Sequence, residues 1–284
     1  MKMKKGNKNY VILNSFQNLI SKRPCDPEIN SGRRAKKGFT LAEVLITLGI
    51  IGVVAALTIP SLIANYQKTQ YVTGLKKAYL NLTEVLQEIM LDEGITEFNQ
   101  LSLFDGVDFT DSNKQNTVDA LIKKHFKVGK SCKADDASCT INGYQAIGGS
   151  DRNVSMFTTT GYNFQTLDEI YYRMRIESTC IPDSSKIGKM KANCGNIWLD
   201  INGAKYPNVV GRDVFLFWIG QDGNLYPAGG PEVAKFACGT TWQTCASHWP
   251  TAGTAFDGCS PEVTDSTGNG CSGRIMEDSW QMNY

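Results

Sequence analysis

Residues 34–64, RAKKGFTLAEVLITLGIIGVVAALTIPSLIA, decide how the rest of the chain is read. A basic pair, Lys36-Lys37, precedes Gly38, and an apolar stretch opens at Phe39. Phe39 to Ala64 is 26 residues, which as a helix reaches about 39 Å at 1.5 Å per residue and exceeds a hydrocarbon core of roughly 30 Å. Glu43 is the only ionisable side chain in it. A carboxylate at that depth costs roughly 2.5–3.5 kcal/mol on insertion scales, so it marks a functional position. Glycine costs about 1 kcal/mol and proline about 3 kcal/mol inside a helix, making Gly52 to Pro60 the weakest segment expected of this one.

An ordinary secretory signal has an apolar region of roughly 7–15 residues followed by a small-residue cleavage site. Here the apolar stretch is longer and its small residue, Gly38, comes before it. The Lys/Arg excess ahead of Phe39 favours a cytoplasmic N-terminal side and an extracytoplasmic remainder.

The order Lys36-Lys37-Gly38-Phe39-Thr40-Leu41-Ala42-Glu43 resembles the class III signal of type IV pilins and type II secretion pseudopilins. That resemblance implies cleavage by prepilin peptidase between Gly38 and Phe39 and N-methylation of the new Phe39 amine. It also implies packing of the helices of this and other pilins or pseudopilins into a filament core, on an inner-membrane assembly platform. Gly52 and Pro60 fall where pilin-like helices carry them. Residues 1–38 are then a leader, long beside the family's usual ones for a phenylalanine start. Residues 11–32 have neither a sustained helical period nor an apolar region, and read as disordered or as upstream sequence translated from a misplaced start.

Without the leader, the chain's formal charge changes from +1 to −7, with 19 basic and 26 acidic side chains. An acidic protein lacks the clustered cations that displace phosphate counterions, so no nucleic-acid partner is expected. Of nine cysteines, Cys25 lies in the leader and eight follow it. An even set in an exported domain reads as disulfides of an oxidising compartment, with 105 connectivities open. Spacing suggests four successive loops, Cys132–Cys139, Cys180–Cys194, Cys238–Cys245 and Cys259–Cys271, each contributing roughly 2–3 kcal/mol in the chain-entropy picture. Thiolate zinc is disfavoured, since no CxxC occurs and His125 and His248 are the only histidines.

Tyr71, Leu75, Ala78, Leu82, Val85, Leu86 and Ile89 recur at helical spacing. They predict that an amphipathic helix over 65–93 continues the membrane stretch of 39–64, with Gly94 as its stop. Residues 94–284 are expected to form the globular head. Ile170, Tyr172, Met174 and Ile176 alternate with Tyr171, Arg173, Arg175 and Glu177, as in a half-buried strand. Ile197, Leu199 and Ile201 repeat the pattern, Asp213–Ile219 suits a central strand, and Asn202-Gly203 and Asp222-Gly223 mark turns. The fold class expected is α+β and pilin-like: a long N-terminal helix on an antiparallel sheet, closed by disulfide-rich C-terminal loops.

Residues 200–215, DINGAKYPNVVGRDVF, look like a DxNGxxxPNxxGxDxF motif of pilin-like heads. Asp200, Asn202, Asn208 and Asp213 offer hard oxygens for a calcium ion, though the preferred reading has them capping turns. Past Pro227 the chain reads as loops, whose Phe236, Trp242, Trp249, Phe256, Trp280 and Tyr284 are expected to fill a small core.

No GxSxG, Walker loop, HExxH or histidine pair occurs, so no catalytic residue is assigned and no cofactor other than calcium is considered. The function expected is structural: a pseudopilin or minor pilin of a type II secretion or type IV pilus system, single-pass in the inner membrane with its head outside the cytoplasm. The alternatives are a DNA-uptake pseudopilin and a membrane-anchored binding module that does not assemble.

Overall fold

The computed structural model describes residues 38–101, 112–132, 143–149, 151–152, 161–182, 190, 192–230, 258–259 and 266–284. The chain divides into two units, one ending at Val53 and one starting at Val54. Helix α1, Leu41–Asp92, is a single run of 52 residues that passes through Gly52 and Pro60 without a break. Up to Val53 its side chains are all exposed, including Leu45, Ile46, Leu48, Ile50 and Ile51.

In the second unit the apolar exposure continues through Leu57, Leu62, Ile63 and Tyr66. From Val72 the helix becomes amphipathic, burying Val72, Leu75, Ala78, Leu82, Val85, Leu86, Ile89 and Met90, while Tyr71 is only partly buried. Leu75, Leu82, Leu86 and Ile89 are enclosed almost completely, and burial of such a side chain stabilises by about 1.5–3 kcal/mol. The helix stops as expected: Gly94 takes φ 67°, and the Ile95 amide donates to Met90 O.

The described strands are β1 (Val128–Cys132), β2 (Tyr144–Ala146), β3 (Asp151–Arg152), β4 (Tyr162–Thr166), β5 (Tyr171–Pro182), β6 (Ala192–Asp200), β7 (Val209–Val210), β8 (Val214–Gly220) and β9 (Leu225–Pro227). They form one sheet in the order β1-β4-β5-β6-β8-β7-β2-β3, with β9 also on β8. Its centre is the antiparallel meander expected from sequence, with Tyr172 opposite Leu199 and Leu199 opposite Phe215. Two pairings differ. β7 lies parallel to both β2 and β8, because Val209–Val210 re-enters the sheet after a loop and not through a hairpin.

One face of the sheet packs on α1. Met174, Ile197, Phe215, Phe217 and Ile219 join the helix stripe in one core. Tyr79 on α1 stacks near Phe217 and Trp280, at centroid distances of 5.5 and 5.6 Å. The other face is covered more than alternation alone implies. Tyr171 and Arg173 are buried, and Cys132, Tyr144, Tyr171, Val210 and Val214 form a second cluster with Trp198 against it.

Helix α2, Ser112–His125, adds Val118 and Ile122 to the core. Phe126, just after it, meets Phe164 at 5.0 Å. His125 is not a surface side chain: its ring is 6 % exposed, with Nδ1 3.4 Å from Glu88 and Nε2 3.4 Å from Asp92. His248 lies outside the described residues, as do Phe236, Trp242, Trp249 and Phe256. A short helix α3, Cys271–Glu277, breaks the loop-like reading of the C-terminal region. It is built in by Ser272, whose hydroxyl donates to Leu216 O at 2.7 Å.

Candidate functional site

Two regions carry the candidate residues. The first is the start of α1. Gly38 has open space where a side chain would begin, and Phe39 is 88 % exposed. Thr40 and Glu43 cap the helix reciprocally. The Thr40 amide and hydroxyl each donate to Glu43 Oε2 at 2.8 Å, and the Glu43 amide donates to Thr40 Oγ1 at 3.2 Å. Thr40-Leu41-Ala42-Glu43 is therefore a capping box. It was legible as Thr-x-x-Glu, a pattern the reading of Glu43 as a lone intramembrane acid overlooks. A carboxylate at a helix N-terminus also meets the positive end of the macrodipole. Glu43 is thus held by its own helix while remaining exposed, four residues from Phe39.

The second region is the 200–213 loop, which connects β6 to β8. Asp200 and Asp213 are both fully buried. Asp200 accepts from the Tyr144 hydroxyl at 2.9 Å and from the Asn202 amide at 3.3 Å. Asp213 accepts from the Asn208 and Val209 amides at 2.8 and 2.6 Å, which tightens the loop into β7. Gly203 and Asn208 take positive φ, 65° and 47°. Gly211, at φ 90°, could carry no side chain, since a Cβ would lie 2.5 Å from Cys271 Sγ.

This geometry does not suit calcium. The carboxylates face N–H and O–H donors, and only the Asn202 and Asn208 amide oxygens lie buried without a hydrogen bond, against the six to eight oxygens calcium takes. Among the described residues no group of three or more His, Cys, Asp or Glu could hold a metal ion. The motif serves as a turn that joins the sheet to the C-terminal disulfide.

Burial and the nearby Asp213 charge push the Asp200 carboxyl well above the ordinary 3.8. Burial likewise raises Asp213 to about 6, opposed by its amide hydrogen bonds. Asp213 in the folded head thus holds its proton to about pH 6, whereas the unfolded chain releases it near 3.8. The resulting stability is complete below about pH 4 and is lost as pH rises through 6. The melting temperature of the detergent-solubilised chain should fall by several degrees from pH 5 to 7.5. Asp213→Asn should flatten that slope, because it removes the titrating carboxyl while leaving an amide oxygen that can still accept from the 208–209 amides. An unchanged slope in Asp213→Asn would rule out this carboxyl as its source.

Cys180 is joined to Cys194 and Cys259 to Cys271, with Cα separations of 4.0 and 4.9 Å. Cys132 is also disulfide-bonded; Cys139, Cys238 and Cys245 lie outside the described residues, as do residues 1–37.

The family model for the prokaryotic N-terminal methylation motif matches residues 33–59. No curated protein and no solved structure matches the chain. One described helix, α1, is long and apolar enough to cross a membrane. Residues 33–59 therefore carry the prepilin signature of type IV pilins and pseudopilins, on a long apolar helix that leads into an α+β head of pilin-like architecture.

Proposed function

We propose that the chain is a non-catalytic structural subunit of a type IV filament, a pseudopilin or minor pilin of a type II secretion or type IV pilus system. Prepilin peptidase cleaves it after Gly38, the new Phe39 amine is methylated, and α1 leaves the inner membrane to pack with neighbouring α1 helices. The head stays on the extracytoplasmic side, in keeping with its disulfides. The observation that carries this reading is Glu43, the one acid in the exposed apolar stretch 39–64, four residues from the proposed processing point. Such a carboxylate is costly in lipid unless a cation meets it, and the methylated ammonium of an adjoining subunit is a cation at the matching depth.

Crosslinking in intact membranes, followed by mechanical shearing of the cells, tests this. Species larger than the monomer with linked peptides from residues 39–64 are expected. Release of these species by shearing indicates a surface pilus, and their retention in the envelope a secretion pseudopilus. A monomer throughout would instead support an anchored binding module that does not assemble.

A further inference from the structure

Beyond the helix, the large hydrophobic side chains left exposed among the described residues are Leu167, 70 % exposed, and Tyr206, 81 % exposed. They sit on two neighbouring loop tips, 167–170 and 201–208. Lys205 bridges the tips through an ion pair with Glu169. Both belong to the same end of the sheet, as α1 shows. The opposite end, at Gly220–Asn224, packs at Gln87 and Met90. These tips lie instead beside Lys77, which pairs with Asp168 at 2.6 Å, and beside Gly74, which faces Ile201. Further back along α1, Lys68 bonds Tyr284 O, and the Tyr284 hydroxyl donates to Gly211 O at 2.6 Å.

The tips therefore sit at the end of the head from which the apolar turns run, since Tyr66, Ile63 and Leu62 precede Gly74 by 8 to 12 residues, about 12–18 Å of helix. At this end Lys77 and Lys205 are paired with Asp168 and Glu169, which leaves exposed Lys127 and Arg212 as an excess of positive charge. An exposed tyrosine and leucine beside lysines is the composition that settles at a bilayer's headgroup boundary.

We propose that Leu167 and Tyr206 insert into the interfacial layer of the membrane that α1 enters, with Lys127 and Arg212 facing anionic headgroups. The inference rests on α1 spanning that membrane. The head then has a second, shallow hold on the bilayer, which must be released when the subunit moves into a filament. The occupant is the lipid surface because the tips lie at the end of the head from which the apolar turns Val54–Tyr66 run, and the excess of Lys127 and Arg212 there is opposite in charge to anionic lipid.

The full chain, reconstituted in phosphatidylethanolamine–phosphatidylglycerol vesicles with a photoactivatable group near the lipid carbonyls, provides the test after peptide mapping. Lipid adducts are expected on the peptides holding Leu167 and Tyr206 as well as on Val54–Tyr66. The peptide holding Leu91, which is 80 % exposed, should stay at background, because 17 residues separate it from Gly74, about 25 Å along the helix. Leu167→Ser with Tyr206→Ser should bring head labelling to background and leave helix labelling and near-ultraviolet circular dichroism unchanged. Adducts confined to the helix, or equal labelling at Leu91, would overturn the interfacial hold while leaving the membrane span intact. A helix without adducts would overturn the span itself.

Discussion

Glu43→Leu should abolish filament assembly while cleavage after Gly38 and formation of the head's disulfides persist. The substitution removes an acid from an apolar stretch, which favours lipid by roughly 2.5–3.5 kcal/mol on insertion scales, so the unassembled subunit stays in the membrane at least as well as before. It also removes half of the Thr40–Glu43 capping box, at about 1 kcal/mol. Neither change explains loss of assembly. On the proposed assembly, the decisive loss is the partner of the Phe39 ammonium, since a buried charge stripped of its counter-ion costs roughly 3–5 kcal/mol.

Glu43→Gln separates the two roles, because glutamine still closes a capping box but carries no charge. It should fail as leucine does, in a shearing assay read against the processed membrane pool. Assembly restored by glutamine would assign Glu43 to helix capping alone, and assembly by Glu43→Leu at the unsubstituted level would leave a plain membrane anchor.

Gly38→Ile should stop processing almost completely. Gly38 has nothing within 4 Å of the position a side chain would take, so the substitution does not disturb the described fold, and its effect falls on the peptidase. A branched residue there would stiffen the backbone at the proposed scissile bond, while Lys36 and Lys37 would still favour a cytoplasmic leader. The unprocessed chain should accumulate in the membrane as one species heavier by the leader, without methylation and without filaments. A normal ratio of processed to unprocessed protein would place cleavage somewhere other than Gly38–Phe39.

What sequence disclosed followed the length of each signal. The 52 residues of α1, its stripe from Leu75 to Ile89, and the strands around Ile170–Ile176, Ile197–Leu199 and Val214–Ile219 have periods long enough to be read. Helix α2 is mostly polar, with Val118 and Ile122 as its buried positions, so its amphipathic signal is faint. Strands β2, β3 and β7 have two or three residues each, too few to show alternation. Their places depend on Asp213 gathering the Asn208 and Val209 amides, and on Tyr144 reaching Asp200 across the sheet.

Burial of Tyr171 and Arg173 was hidden for a related reason, since alternation identifies two faces of a strand without saying that both are covered. At the candidate site, Gly38, Phe39 and Glu43 stood out by order and charge alone. The same four letters, Thr40 to Glu43, also spelled the cap.

The most direct measurement is the intact mass of the protein extracted from membranes of cells that contain prepilin peptidase. A chain starting at Phe39, with one added methyl group and its cysteines oxidised, is the expected result. A chain that keeps residues 1–38, or begins anywhere other than Phe39, would contradict processing and assembly through the N-terminal helix.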